Sequence, residues 1–507
     1  MNKSDPQGDA DVIVLGVGTC GEDLSLRLLG AGLQVVGVEA ALVGGECAYW
    51  ACLPSKMMIR AANVLQEARR LDGFAGRADI SPDWTPVANR VRTEVTGGWD
   101  DAYAVQRFQS RGGQLVHGRG KLSGPRSVVV GDQTFRARRG VVVATGSRPA
   151  IPPIPGLSGV DYWTTHDVIQ AETLPASLVV LGGGVVGCEL GQVLARFGVR
   201  VTIVEAAERL LPSEEPEASE VLQAAFAAEG IDVHTGAAVQ HVEQRDGLFV
   251  LSLEGASEVA AERLLVAAGR LPNVDGIGLE SVGLRALAES NLPSVAGTMP
   301  ISVDERMRAA PGVWAMGDVT GKAMLTHVAL YQSAIIAADI LGVEHPPARY
   351  DAVPRAAFTD PEVGAVGLTE AQARATDRDV VAVVKQLPAT FRGWLHGSGN
   401  GIVKLVFDRQ SGVLLGATAA GPRGGEVLGL LNLAVHARVP LADLRSMIYA
   451  FPTFYGGIGE AIGAFGRGLA TVIDPGYQGF LALDDVGAPA PASSQDGAGT
   501  LEGMRGA

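Results

Sequence analysis

Two glycine-rich fingerprints, set in the same frame, decide most of what this chain can fold into. The first reads Gly16-Val17-Gly18-Thr19-Cys20-Gly21 and the second Gly182-Gly183-Gly184-Val185-Val186-Gly187, an offset of 166 positions. Each follows a short apolar strand (Asp11 to Leu15, Ser177 to Leu181) and opens a helical stretch. Each is followed by a second strand that ends on an acid 23 residues after the first glycine, Glu39 and Glu205. In such a strand–turn–helix unit the first glycine permits the tight turn. The second lets backbone approach a pyrophosphate, and the third lets helix and strand pack closely. The helix N-terminus then offers unpaired N–H groups to phosphate, and the acid can accept hydrogen bonds from a ribose. Gly16, Gly18, Gly21 and Glu39, and again Gly182, Gly184, Gly187 and Glu205, are therefore candidate cofactor-binding residues. The chain carries two copies of one dinucleotide-binding unit. Glu205 would repel a 2′-phosphate, so the second unit favours NADH over NADPH, with Arg209 the nearby cation that works the other way.

The rest of the chain is consistent with an α/β protein of several domains. It has 507 residues, 67 of them glycine, and few aromatics, which suits many tight strand-to-helix turns. The net charge of −14 leaves no basic stripe for nucleic acid. Met1 to Asp11 has no basic n-region or apolar core, and no apolar run reaches 18 residues. Neither a secretion signal nor a membrane span is expected, and the cytoplasm is the default location. The four cysteines, Cys20, Cys47, Cys52 and Cys188, are too few for a secreted disulfide framework and lack zinc-site spacing, so no metal is expected. Cys20 and Cys188 follow the two fingerprints in helices and read as small buried apolar residues. Cys47 and Cys52 are different. They are separated by four residues beside Gly44-Gly45, and a lone close pair in a large α/β chain points to redox or catalytic work.

Further along, residues 57–110 read as mostly helical. Val141 to Ala144 is a buried strand running into a Gly146 turn, and Pro152, Pro153 and Pro155 read as a crossover linker. Another strand, Leu264 to Ala268, ends at Gly269-Arg270. A third ends at Gly317-Asp318, where Asp318 can meet a hydroxylated or phosphate-bearing ligand. Residues 322–342 read as a helix. From about 347 alternating segments (Gly401 to Phe407, Val413 to Thr418) predict an antiparallel sheet, with helices at 425–438 and 441–449. After Tyr477 the chain turns Ala/Pro/Gly/Ser-rich, and 478–507 reads as a disordered tail.

Taken together, these motifs resemble the class I flavoprotein disulfide reductases, the family of dihydrolipoamide dehydrogenase, glutathione reductase and the mercuric reductase core. The resemblance covers roughly residues 10–475. It rests on the first fingerprint, Gly44-Gly45-Glu46-Cys47 through Cys52-Leu53-Pro54-Ser55-Lys56, Ala144-Thr145-Gly146, the second fingerprint with Glu189, Ala268-Gly269-Arg270-Leu271-Pro272-Asn273, Gly317-Asp318, and Phe358-Thr359-Asp360-Pro361-Glu362-Val363. It implies an α/β fold with two Rossmann-like domains, for FAD (10–155 and 275–346) and for NAD(P)H (156–274), and a C-terminal α+β dimerisation domain (347–475) of a homodimer. The implied cofactors are FAD and NADH. Gly45, Gly118, Thr145, Gly146, Gly269, Arg270, Gly317, Asp318 and Thr326 join the cofactor-binding set. Cys47 and Cys52 become a redox disulfide, with Cys52 against the flavin and Cys47 toward substrate. Lys56 sits near the flavin, paired with Glu189. The spacing agrees independently, since Cys52 and Lys56 are i, i+4 and share a face if the stretch is helical.

The chain also departs from the family. Where a His-Pro-Thr motif and a following Glu are expected, it has Phe451-Pro452-Thr453 and Gly456. A phenylalanine cannot move a proton, and a missing base costs about 10²–10⁴-fold in such steps. None of the eight histidines adjoins the motif, and His436 reads as a surface helix residue. Tyr449 and Tyr455 are the candidate acids, with Tyr455 taken as the catalytic one. No cysteine follows Cys188, unlike mercuric reductases and large thioredoxin reductases. Both redox cysteines are kept, unlike soluble transhydrogenases. The expected reaction runs from NAD(P)H through FAD and Cys47–Cys52 to a small disulfide whose thiols are good leaving groups, such as those of thione-type thiols. The alternative is a diaphorase, quinone reductase or transhydrogenase fed directly by FAD.

Overall fold

The computed structural model describes residues 9–284, 299–397 and 399–465. Uninterrupted runs of Val, Ile and Leu make strands that are buried on both faces, as parallel sheets require. Val12, Ile13 and Val14 in the strand Asp9–Leu15, and Leu178, Val179 and Val180 in Ser177–Leu181, have no exposed surface. The first of these strands pairs in parallel with Val35–Glu39 on one side and Gln133–Val143 on the other. Val313–Ala315 and Gln114–His117 extend the sheet in parallel outside them. Helix α1 (Thr19–Gly30) crosses over between the first two strands. Two further helices follow, the single turn α2 (Gly45–Tyr49) and the long α3 (Cys52–Arg69).

A second parallel sheet of four strands is ordered Asp232–His234, Arg200–Val204, Ser177–Leu181, Arg263–Val266. It is preceded by the short helix α4 (Thr165–Gln170), and α5 (Val185–Arg196) makes its first crossover. The chain then returns to the first unit and adds α6 (Thr326–Leu341) against α1. The antiparallel pairing of Ser147–Pro149 with Arg270–Pro272 stitches the outgoing and returning connections together.

The C-terminal part is a five-stranded antiparallel sheet in the order Pro354–Ala357, Glu362–Gly367, Val413–Gly421, Ile402–Asp408, Val380–Gln386. It is welded to the second unit by buried charge. Arg355 grips Glu214 at 2.8 and 2.9 Å, and Lys404 meets Glu215, Glu217 and Glu370 at 2.9, 2.7 and 2.9 Å.

The α/β class, with two nucleotide-type sheets and a C-terminal α+β unit, is as expected. Residues 57–110 are mostly helical, as expected, but the helix is interrupted. Helix α3 stops at Arg69, and the chain then runs through turns to Trp84 before helix resumes at Thr85–Arg90 and Ala102–Ser110. Gly73 and Gly76 take positive φ in that stretch (80° and 136°), and a helix cannot pass through such backbone. The helix expected from 322 starts at Thr326, and the one expected over 441–449 ends at Ser446. The tail 478–507 lies outside the described residues. Among the described residues no helix is long and apolar enough to cross a membrane.

Candidate active site

Each fingerprint holds two kinds of glycine. A Cβ on Gly21 would run into the Gly16 carbonyl oxygen, and one on Gly187 into that of Gly182, so these positions are glycine because helix and strand touch there. Gly18 and Gly184 are not constrained in this way. They cap α1 and α5 at ordinary φ (−65° and −74°). A Cβ would meet only Gly45 Cα at 3.7 Å in the first case and nothing within 4 Å in the second. Neither backbone nor packing demands glycine at these two helix starts. The open space fits a phosphate-bearing ligand approaching the backbone.

The acids that close the two units are held alike. Glu39 accepts from the N–H groups of Val17 (2.7 Å) and Ala41 (2.9 Å), and burial pushes its carboxyl above the usual range. Glu205 accepts from Gly183 (2.6 Å) and Ala207 (2.7 Å). Each oxygen keeps a lone pair for a ribose hydroxyl. Arg209, the cation that could have welcomed a 2′-phosphate, instead turns its Nη2 to the carbonyls of Pro212 (2.9 Å) and Glu214 (3.3 Å).

Helix α3 begins on Cys52 and α2 carries Cys47, so the pair sits where two helices nearly meet. Both are free thiols, hydrogen-bonded to each other. Thr326, the first residue of the 16-residue α6, places its Oγ1 3.3 Å from both sulfurs. The N-termini of α3 and α6 therefore converge on the sulfurs, which favours negative charge there. That charge falls on Cys52. The hydrogen bond from Cys47 outweighs burial and, with Thr326 and the Lys56 charge, brings the Cys52 thiol down to about 6. The same hydrogen bond, together with burial, drives Cys47 upward, so Cys47 holds the proton. Cys20 is half-buried rather than buried, and its thiol points at the Thr326 carbonyl (3.5 Å). Cys188 is fully buried against the Gly183 carbonyl (3.2 Å).

Lys56 lies one turn along α3 from Cys52. Its Nζ meets Glu189 Oε2 of α5 at 2.7 Å and lies 4.8 Å from the centre of the Phe358 ring. Glu189 also accepts from the Phe358 N–H at 2.8 Å. Asp318 accepts a short hydrogen bond from Ser147 Oγ, and burial raises its carboxyl. Ser147 Oγ in turn accepts from Arg270 Nε (2.7 Å), and Arg270 Nη2 reaches Glu46 Oε2 at 3.0 Å. The remaining predicted positions are structural neighbours of these. Thr145 donates to the Asn273 carbonyl (2.7 Å) and Gly146 accepts from the Asn273 N–H (2.9 Å). Gly118 donates to the Glu39 carbonyl (2.8 Å), Gly269 accepts from the Ala150 N–H (2.9 Å), and Gly317 donates to the Gln332 side chain (2.7 Å). A Cβ on Gly45 would lie 2.8 Å from Gly18 Cα, so the cysteine loop is packed on the first fingerprint.

Thr326, expected among the cofactor contacts, has its hydroxyl on the thiols. Tyr455, expected as an acid, accepts the Ala450 N–H at 3.0 Å, while Tyr449 donates to the Leu444 carbonyl at 2.9 Å. Both hydroxyls brace the segment around Phe451, whose ring is 74% exposed. Residues that the sequence reading missed are Ser147, Thr165, His166 and the part played by Glu46. Glu46 had a signal, a charge directly before Cys47. Thr165 had none, yet its buried Oγ1 has no hydrogen-bond partner among the described residues.

The comparisons with known proteins agree with this geometry. Residues 10–333 match the pyridine nucleotide-disulphide oxidoreductase family and residues 353–462 its dimerisation domain. The dihydrolipoyl dehydrogenase of Thermus scotoductus is 34% identical over 463 residues, 89% of this chain and 96% of that protein. The mercuric reductase of Staphylococcus aureus is 28% identical, over 91% of this chain and 84% of its own length. Among solved structures, the HOCl-induced flavoprotein disulfide reductase RclA of Escherichia coli superposes with a TM-score of 0.77 at 25% identity, covering 89% of this chain and 99% of its own. LpdA of Mycobacterium tuberculosis gives 0.78 at 27%, covering 90% and 99%. The fold, the paired fingerprints and these relatives agree: the chain belongs to the class I pyridine nucleotide-disulphide oxidoreductases, NAD(P)H-dependent flavoprotein enzymes of the lipoamide dehydrogenase and RclA type.

Proposed function

We propose that this enzyme uses NADH to reduce a small disulfide whose thiols are acidic, through FAD and the Cys47–Cys52 pair, without a histidine base. The observation that carries this reading is the position of the two sulfurs, 3.3 Å each from one hydroxyl, at the converging N-termini of α3 and α6.

The chain's own groups fit the two cofactors. The open face at Gly18 and the carboxylate of Glu39 suit FAD in the first unit. Gly184, Glu205 and the averted Arg209 suit a ribose with a free 2′-hydroxyl in the second, which favours NADH. When bound, FAD supplies two-electron exchange between the nicotinamide and the sulfurs. In this reading the first unit comprises 10–155 and 275–346, the second 156–274, and the third begins at 347. The dimerisation domain supports a homodimer, and so do the exposed apolar residues Leu433, Ile448 and Phe451 on its surface.

The proton count selects the substrate. At neutral pH the reduced pair carries one proton, on Cys47, and one negative charge, on Cys52. Cys47 passes its proton to Cys52 as it attacks. A bond forms from Cys47 to one substrate sulfur, the substrate S–S bond breaks, and the first thiolate leaves. Cys52 then attacks Cys47 of the mixed disulfide, closing the Cys47–Cys52 bond and releasing the second thiol. One product departs with the enzyme's proton and the other as thiolate. An acidic thiol needs no further proton, and Phe451 offers none. The test is steady-state NADH oxidation with disulfides of graded thiol acidity. Rates should rise as thiol pKa falls, and Cys47→Ser should lose at least 10²-fold, about the lower bound for losing a reacting group. Full activity of Cys47→Ser, or rates indifferent to thiol acidity, would contradict the reading.

A further inference from the structure

The cysteine loop is held from outside by one residue that the chemistry above does not use. Glu46 and Trp50 flank Cys47 and lie four residues apart, on one face of the α2 turn, with the Trp50 N–H bonded to the Glu46 carbonyl at 2.8 Å. His166 contacts both side chains. Its Nε2 lies 2.8 Å from Glu46 Oε1, and its ring stacks on the Trp50 indole at 4.4 Å between centroids with a 14° tilt. Trp50 in turn stacks on Trp99 at 5.6 Å.

His166 is itself rigidly mounted. It is the second residue of α4, whose N-terminus is closed by a capping box between Thr164 and Asp167, and whose Val168 and Ile169 are buried in the core shared with the second sheet. The other oxygen of Glu46 belongs to Arg270, and through Ser147 the same chain of contacts reaches Asp318. The hydrogen bond from His166 and the charge of Arg270 outweigh burial and hold the Glu46 carboxyl below its ordinary value, so it is a fixed anion between two cationic or donor groups.

The geometry assigns His166 as a positioning residue for the redox loop. By gripping the Glu46/Trp50 face of α2 from the second nucleotide unit, it leaves Cys47 on another face and keeps both sulfurs within reach of Thr326 Oγ1. Both sulfur–hydroxyl distances are 3.3 Å, so a loop shift of a fraction of an ångström toward one partner loosens the other. His166 thereby ties the placement of the dithiol to the second nucleotide unit. This rests on the proposed dithiol chemistry only in taking Cys47 and Cys52 as the reactive pair.

The test uses reduced, FAD-loaded enzyme and reads two quantities that need no substrate. They are the alkylation rate of Cys47 by iodoacetamide, followed by mass spectrometry, and the Cys47–Cys52 midpoint potential against a glutathione redox series. His166→Ala removes both contacts, His166→Phe keeps the stack, and His166→Gln keeps the hydrogen bond. The expected order of alkylation rates is wild type, then Phe and Gln, then Ala, with Ala about tenfold above wild type, the size of coupling typical of contacting residues. The midpoint potential should shift in the same order. A purely structural role would lower the melting temperature and leave the rate and the potential at wild-type values, and that result overturns the assignment. If His166→Ala fails to retain FAD, the Phe and Gln variants decide, and wild-type rates in both overturn it. A disulfide panel that gives no turnover, with the ordered series intact, sinks the proposed function alone. Turnover with a flat series sinks this inference alone.

Discussion

Asymmetry within the dithiol is the sharpest feature at the scale of single residues. Two chemically identical thiols share one proton, and the hydrogen bond from Cys47, with the charge of Lys56, biases the negative charge toward Cys52. The Cys52 thiol falls from its ordinary 9.0 to about 6. Its folded value is depressed, so its contribution to stability is full above the ordinary range. That contribution is lost as pH falls through the window from 9.0 to about 6. In the reduced enzyme, thiolate absorbance near 240 nm should therefore disappear on acidification with a midpoint close to 6, and Cys52→Ser should abolish the transition. Thr326→Val removes one hydroxyl and should move that midpoint upward by about one unit, since a hydrogen bond to a charged group contributes about 1.5 kcal/mol. An unmoved midpoint would mean the hydroxyl plays no part in holding the charge.

The fingerprints act at the scale of elements, and their glycines separate folding from binding. Gly21→Ala drives a methyl into the Gly16 carbonyl. It should destabilise even the apoprotein, by about 1–3 kcal/mol, as overpacking does. Gly18→Ala meets no such obstacle. Its apoprotein should melt within about 0.5 kcal/mol of wild type, while FAD retention, read as the ratio of flavin to protein absorbance after gel filtration, should drop sharply. Equal FAD retention in the two variants would contradict this division. These units were legible from sequence because their requirements are local: a turn, a close approach and a strand-ending acid, all within 23 residues. The contacts that set the thiols were not. Glu46 and His166 are 120 positions apart and Thr326 and Cys47 are 279 apart, and no periodicity links them. Lys56 and Glu189 were paired only through family resemblance. The break in the helix after Arg69 was not legible because two positive-φ glycines are visible only once the backbone is traced.

At the scale of the whole molecule, buried charge joins the second nucleotide unit to the C-terminal sheet. Lys404, 3% exposed, neutralises carboxylates from both sides. Lys404→Met leaves Glu215, 3% exposed, without its cation and should cost about 3–5 kcal/mol, seen as a lower urea midpoint. An unchanged midpoint would show that the weld is incidental. In the proposed reaction electrons pass from NADH through FAD to Cys47 and Cys52. The most direct test is anaerobic. Enzyme with its Cys47–Cys52 disulfide formed is mixed with NADH, quenched in acid, and its free thiols are alkylated and mapped. Cys47 and Cys52 should become labelled only after NADH is added, and together. If NADH bleaches the flavin while both cysteines stay disulfide-bonded, electrons leave without passing through the pair, which contradicts dithiol chemistry in this enzyme.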